Sequence, residues 1–294
     1  MFITIVTIAE CFRPVFLSCL AARHLGREGS FPPFGSAIRR MRASDGGSER
    51  IVNGTWNVVE INGKLADVYD PPGRPRFGLI YLHSYGLESL RGRLAYMTLF
   101  DELRLACVCP SGGHSWWGDR VCAEFDAAQT PERYLLDFVI PFFRERWGLD
   151  ARGVGLFGVS MGGQGALRLG FRHPDTFAAV AGIASAVEYH ELFGDGTPLD
   201  DMYESKEHCR QDTAPMHVAP GHFPAHLFFC ADPDDEWWRG NDRLHEKLGA
   251  LGVPHEFDLT TRAGGHSWAY FDHMAERVLR FLDAGLDHQT RRLL

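Results

Sequence analysis

From Ile51 onward, short apolar runs of strand length alternate with segments whose apolar residues recur at helical spacing, which predicts parallel β-α units rather than an all-β or bundle fold. TWNVVEI (55–61) and LADVYD (65–70) read as a leading pair of strands. FGLIYLH (77–83), LACVCP (105–110) and VGLFGVS (154–160) are almost unbroken apolar runs, as expected of central strands buried on both faces. FAAVAGIAS (177–185), HLFFCA (226–231) and HEFDLT (255–260) continue the series. Helical spacing marks 132–148, with Pro141 as an expected kink, 241–252 ending in Gly252, and 274–285. The stretch 187–224 fits neither period and is too long for an ordinary connection, so a cap over a site and an irregular loop are both open there.

The first 50 residues read differently. The apolar run 1–22 has no basic residues ahead of it and is interrupted by Glu10 and Arg13, so it falls short of a spanning helix of about 20 residues and of a secretory leader. The expectation is a poorly ordered extension over 1–50 with a polar linker at 39–50, followed by one domain over 51–294; export or anchoring is the alternative. A formal charge of −8 offers no basic field to a phosphate backbone or an anionic membrane, so neither nucleic acid nor membrane is expected as a partner. Seven scattered cysteines without a CxxC pair point to free thiols and a cytoplasmic setting.

The chemistry concentrates at Gly158-Val159-Ser160-Met161-Gly162, between the apolar run ending at Val159 and the helix-compatible MGGQGALRLGF. Small residues flanking a serine at a sharp strand-to-helix turn let the chain hold it in a strained conformation, hydroxyl outward. A serine hydroxyl is a weak nucleophile near neutral pH, so it needs a base in hydrogen-bond reach and an acid to orient that base. His266, in AGGHSWAY directly after the last predicted strand, is the best placed of 14 histidines. The acid is expected after HLFFCA, where Asp232, Asp234 and Asp235 compete. An oxyanion hole would draw on the Met161 N–H and on the loop His83-Ser84-Tyr85-Gly86, with Tyr85 as the second amide. No cofactor or metal is expected: three His-Glu pairs fail to continue to HExxH, and the glycines after Phe157 match no phosphate-binding fingerprint.

YLHSYG (81–86), CPSGGHSWWGD (109–119), GVSMGGQGALRLGFRHPDTFAAVAGIAS (158–185) and AGGHSW (263–268) resemble the putative-esterase family of α/β-hydrolases, which includes esterase D, feruloyl and acetyl esterases and the mycolyltransferase antigens. The resemblance implies an α/β-hydrolase fold, with a mostly parallel sheet flanked by helices on both faces and a cap-like insertion. It implies Ser160 as nucleophile, His266 as base and Asp235 as acid, since a polar and an apolar helix residue are expected six and nine positions after the acid and Asn241 and Leu244 stand there. Ser84 departs from the family's usual HGxxG glycine, and Gly264-Gly265-His266-Ser267 departs from the esterase D arrangement, which turns the expectation away from formylglutathione.

The expected activity is therefore hydrolysis of a small carboxylic ester or thioester. Acyl transfer by the same triad, or a catalytically silent binding protein, are the alternatives. Trp116, Trp117, Trp237 and Trp268, with Trp238, lie beside the predicted site loops as possible platforms for a sugar or aromatic acyl group, or as loop-packing residues.

Overall fold

The structure, a computed structural model, describes residues 52–291; the 1–50 extension and its linker lie outside the described residues. One eight-stranded sheet has the order β1-β2-β4-β3-β5-β6-β7-β8. Strands β1 (Thr55–Ile61) and β2 (Lys64–Asp70) form an antiparallel hairpin through a two-residue turn at Asn62 and Gly63. β2 runs antiparallel to β4 (Leu105–Pro110), and every pairing from β4 through β3 (Phe77–Leu82), β5 (Val154–Val159), β6 (Ala179–Ile183), β7 (His226–Cys230) and β8 (Glu256–Asp258) is parallel.

The unbroken apolar runs have a direct cause. Along β3, Leu79 and Tyr81 enter one core while Ile80 and Leu82 enter the other, so both sets must be apolar. One core lies under α1 (Leu94–Leu103) and α8 (Trp268–Arg291), which contribute Tyr96, Phe100, Tyr270, Met274 and Val278. The other lies under the helical stretch 131–147, α4 (Met161–Arg172) and α7 (Trp238–Ala250). The 131–147 stretch comprises α2 (Pro131–Tyr134), a π-helical turn Leu135–Val139 and α3 (Ile140–Trp147). Pro141 lacks an N–H and crowds the carbonyl four residues back, so the helix widens ahead of it where a kink was expected.

Helix α1 was not predicted, and α8 extends the expected 274–285 at both ends. The 187–224 stretch holds two short helices, α5 (Leu199–Met202) and α6 (Lys206–Gln211), and two 3-10 turns. It is seated by an Arg168–Asp212 ion pair, by the Ala214 N–H on Gln164 Oε1, and by Tyr189 stacked 4.7 Å from Trp116. No helix among the described residues is long and apolar enough to cross a membrane.

Strand order decides where a site can form. From β3 the chain steps out to β4 and then returns past β3 to β5, so the loops leaving β3 and β5 diverge at the carboxyl edge of the sheet and open a crevice there. His83 to Gly86 follow β3 and Ser160 follows β5.

Candidate active site

Ser160 sits between β5 and α4 at φ 54° and ψ −117°, a conformation that L-residues avoid. The surrounding glycines make this turn possible. A Cβ on Gly162 would run into the Leu82 carbonyl oxygen and lie 2.7 Å from that of His83, so α4 begins in direct contact with the end of β3.

Three side chains from three loops meet at this turn. His266 Nε2 lies 2.9 Å from Ser160 Oγ, and His266 Nδ1 lies 2.8 Å from Asp235 Oδ2. The second oxygen of Asp235 accepts the Trp237 N–H at 2.7 Å, and the Asp235 side chain is fully buried. With a carboxylate facing Nδ1, the proton belongs on that nitrogen and Nε2 is left to accept from the serine. Of the three competing carboxylates, Asp235 alone meets the imidazole. Asp234 points outward to Arg262. Asp232 is completely buried and turned away from the imidazole, on backbone N–H groups.

Met161 opens α4, so its N–H has no acceptor within the helix. In the loop after β3, the peptide joining Ser84 to Tyr85 is pinned through its carbonyl, which accepts the Leu87 N–H at 3.0 Å and meets His83 Nδ1 at 2.8 Å. His83 Nε2 accepts the Gly112 N–H at 3.0 Å, which fixes the tautomer with hydrogen on Nδ1. Burial holds the His83 pKa down at about 4, so the ring stays neutral in that role. Ser84, standing where a glycine was expected, turns its hydroxyl onto the Gly86 N–H at 3.2 Å. The next carbonyl, that of Tyr85, lies 3.1 Å from His114 Nε2, and His114 Nδ1 meets Glu124.

The tryptophans behave otherwise than a row of platforms. Trp116 and Trp117 are 2% and 0% exposed, Trp116 stacked on Tyr189 and Trp117 donating its indole N–H to the His83 carbonyl. Both rings are closed off from solvent, and Trp117 supports the loop after β3. Trp268 has the Arg93 guanidinium 3.6 Å over its ring and donates to Glu88, which removes one of its faces from stacking. Trp238 donates to the Leu259 carbonyl, and Trp237 is half-buried at the start of α7. The sequence pointed to His83 and Asp232 but not to these roles, and His114 was not singled out at all. Each also reaches a backbone group far away along the chain, Gly112 for His83, Tyr85 for His114 and Ala263 for Asp232, and no local spacing signals such a bond.

Among the described residues, no group of three or more His, Cys, Asp or Glu is placed to hold a metal. The family described as "Putative esterase" matches residues 60–281. No curated protein sequence matches. Among solved structures, the chain is similar to a fluorophosphonate-binding serine hydrolase F of Staphylococcus aureus, at 19% identity and a TM-score of 0.64 over 78% of this chain and 98% of that one. It is similar to an S-formylglutathione hydrolase of Agrobacterium tumefaciens, at 16% identity and a TM-score of 0.67 over 85% and 99%. It is similar also to a ferulic acid esterase, at 18% and 0.65 over 80% and 98%. At these identities the structures establish a shared α/β-hydrolase fold.

Proposed function

The chain belongs to the Esterase family of α/β-hydrolases and is a carboxylic ester hydrolase, and from that premise we propose that it works through an acyl-enzyme on Ser160. In this reading the Ser160 oxygen attacks the ester carbonyl while His266 Nε2 takes its proton, and Asp235 holds the imidazolium without becoming protonated. The negative charge moving onto the carbonyl oxygen is met by the N–H groups of Met161 and Tyr85. His266 then returns the proton to the departing alcohol, and water repeats the sequence on the acyl-enzyme to release the acid.

The observation that carries this reading is the unbroken Ser160–His266–Asp235 hydrogen-bond chain on a strained elbow, together with the pinned peptide of the loop after β3. The 187–224 segment, anchored to α4, serves as a fixed cap beside it. The substrate is a small ester; with Trp116 and Trp117 buried, little supports a sugar or aromatic acyl group held by stacking. Free, buried thiols at all five described cysteines support a reducing compartment.

A fluorophosphonate probe and short-chain aryl esters test the proposal together. The wild-type protein should be labelled and should turn over to free acid even with added alcohols. Ser160→Ala should lose labelling and at least 99% of turnover while folding normally, because removing a triad serine costs about 10⁶ in rate. Labelling that survives the substitution would move the nucleophile elsewhere, and new ester in place of acid would make the protein an acyltransferase.

A further inference from the structure

The loop that carries His266 comes from the far end of the sheet, after β8, and the loop that carries Asp235 comes from β7. The β7–β8 ladder ends with the Ala231 N–H on the Asp258 carbonyl, and beyond it no strand pairing holds the two loops together. The 258–268 segment includes two glycines with positive φ, Gly264 at 110° and Gly265 at 66°, and forms no ladder after β8. Something must set the separation between these loops to a fraction of an ångström, because a base misplaced by 1 Å costs about a hundredfold in rate.

Asp232 stands where that task would be done. Its Oδ2 accepts the Ala263 N–H at 2.6 Å and the Gly265 N–H at 3.0 Å, on the residues just ahead of His266. Its Oδ1 accepts the Asp234 N–H at 2.8 Å, on the residue just ahead of Asp235. The side chain is 0% exposed, so these bonds are not in competition with water. Burial alone would raise its pKa, but the three N–H donors outweigh burial and hold it below the usual carboxylate range, with the Arg262 charge adding to them.

We propose that Asp232 is the positioning residue of the triad, a buried carboxylate that clamps the acid loop and the histidine loop to each other through three backbone N–H groups. This rests on the triad reading above. It assigns Asp232 no proton transfer and no contact with substrate. Its effect is to hold His266 Nδ1 on Asp235 and Nε2 on Ser160 at once.

Asp232→Asn keeps the shape and turns one acceptor into an amide donor that must face an N–H group. The variant should lose about a hundredfold or more in kcat, as a misplaced base does, with KM within about threefold because no substrate contact is removed. The low-field proton resonance of the imidazole N–H shared with Asp235 should vanish in the variant and in Asp235→Asn, and persist in Ser160→Ala. A kcat within about tenfold of wild type, or a resonance that survives a large loss of kcat, would overturn the proposal. If the variant does not accumulate folded, hydrogen exchange on the wild-type protein decides: slow amides at Ala263 and Gly265 support the clamp, and exchange as fast as in an open loop refutes it. Loss of the triad reading has a different signature, namely wild-type protein that the fluorophosphonate probe fails to label.

Discussion

At the scale of single residues, the acid loop shows how one carbon skeleton takes three roles by direction alone. Asp232, Asp234 and Asp235 lie within four positions, yet one is buried on backbone N–H groups, one pairs with exposed Arg262 and one meets His266. Asp235→Asn should lower kcat by roughly a thousandfold or more, since an amide there favours the wrong tautomer. Asp234→Asn should cost less than about tenfold, because an exposed pair contributes little. Parallel kcat measurements on the two variants check this, and a crippled Asp234→Asn would place the acid one residue earlier. Asp235 was legible in the sequence through the helix that follows it: Asn241 and Leu244 are both buried, Asn241 donating to the Ser185 carbonyl and Leu244 entering the core. Asp232 was not legible, because a buried carboxylate and a solvated one are written with the same letter and differ only in what folds over them.

At the scale of elements, the strands were legible because burial on two faces demands unbroken apolar runs, and the elbow was legible because its glycines are forced by contact. Helix α1 escaped notice since it follows a loop rich in Gly, Ser and Arg and carries neither an acidic first turn nor a basic last turn. The paired tryptophans were visible as letters only, and the burial of Trp117 depends on Gly112 and Gly165, at each of which a Cβ would strike its side chain. The close approach of α4 to β3 gives an element-scale test. Gly162→Ala would push its methyl against the Leu82 and His83 carbonyls, so the loop carrying the Tyr85 amide must retreat from Met161. We expect kcat to fall by about tenfold to a thousandfold, as when an oxyanion donor is lost, and stability to fall by about 1–3 kcal/mol from overpacking. Kinetics and thermal melting on the same preparation check both; a wild-type kcat would show that the contact has no bearing on the oxyanion site.

At the scale of the whole molecule, the nucleophile helix is tied to its surroundings by a buried charge. Arg168 on α4, 1% exposed, pairs with Glu132 at the start of α2 and with Asp212 in the cap segment. His173 and Arg172 also reach Glu132, and His217 and Tyr203 reach Asp212. Burial would raise both carboxylates, but these donors outweigh it, holding Glu132 at about 2 and Asp212 lower still. Folded pKa values depressed in this way contribute stability that is fully present above the unfolded carboxylate range, about 4 to 4.5, and is lost as pH falls from there through about 2. Arg168→Met removes the shared cation and leaves two buried carboxylates short of their partner, which should cost about 3–5 kcal/mol near pH 7. In the variant the carboxylates protonate at higher pH, so the loss of stability in acid that belongs to the pairing is largely gone from it. The gap between wild type and variant should therefore be widest near pH 7 and narrow steadily below pH about 4. Urea midpoints measured from pH 7 down to pH 3 check the sign. A gap of constant size across that range would mean that Arg168 acts through the packing of its carbon chain, and that the tie between α4 and the cap is not ionic.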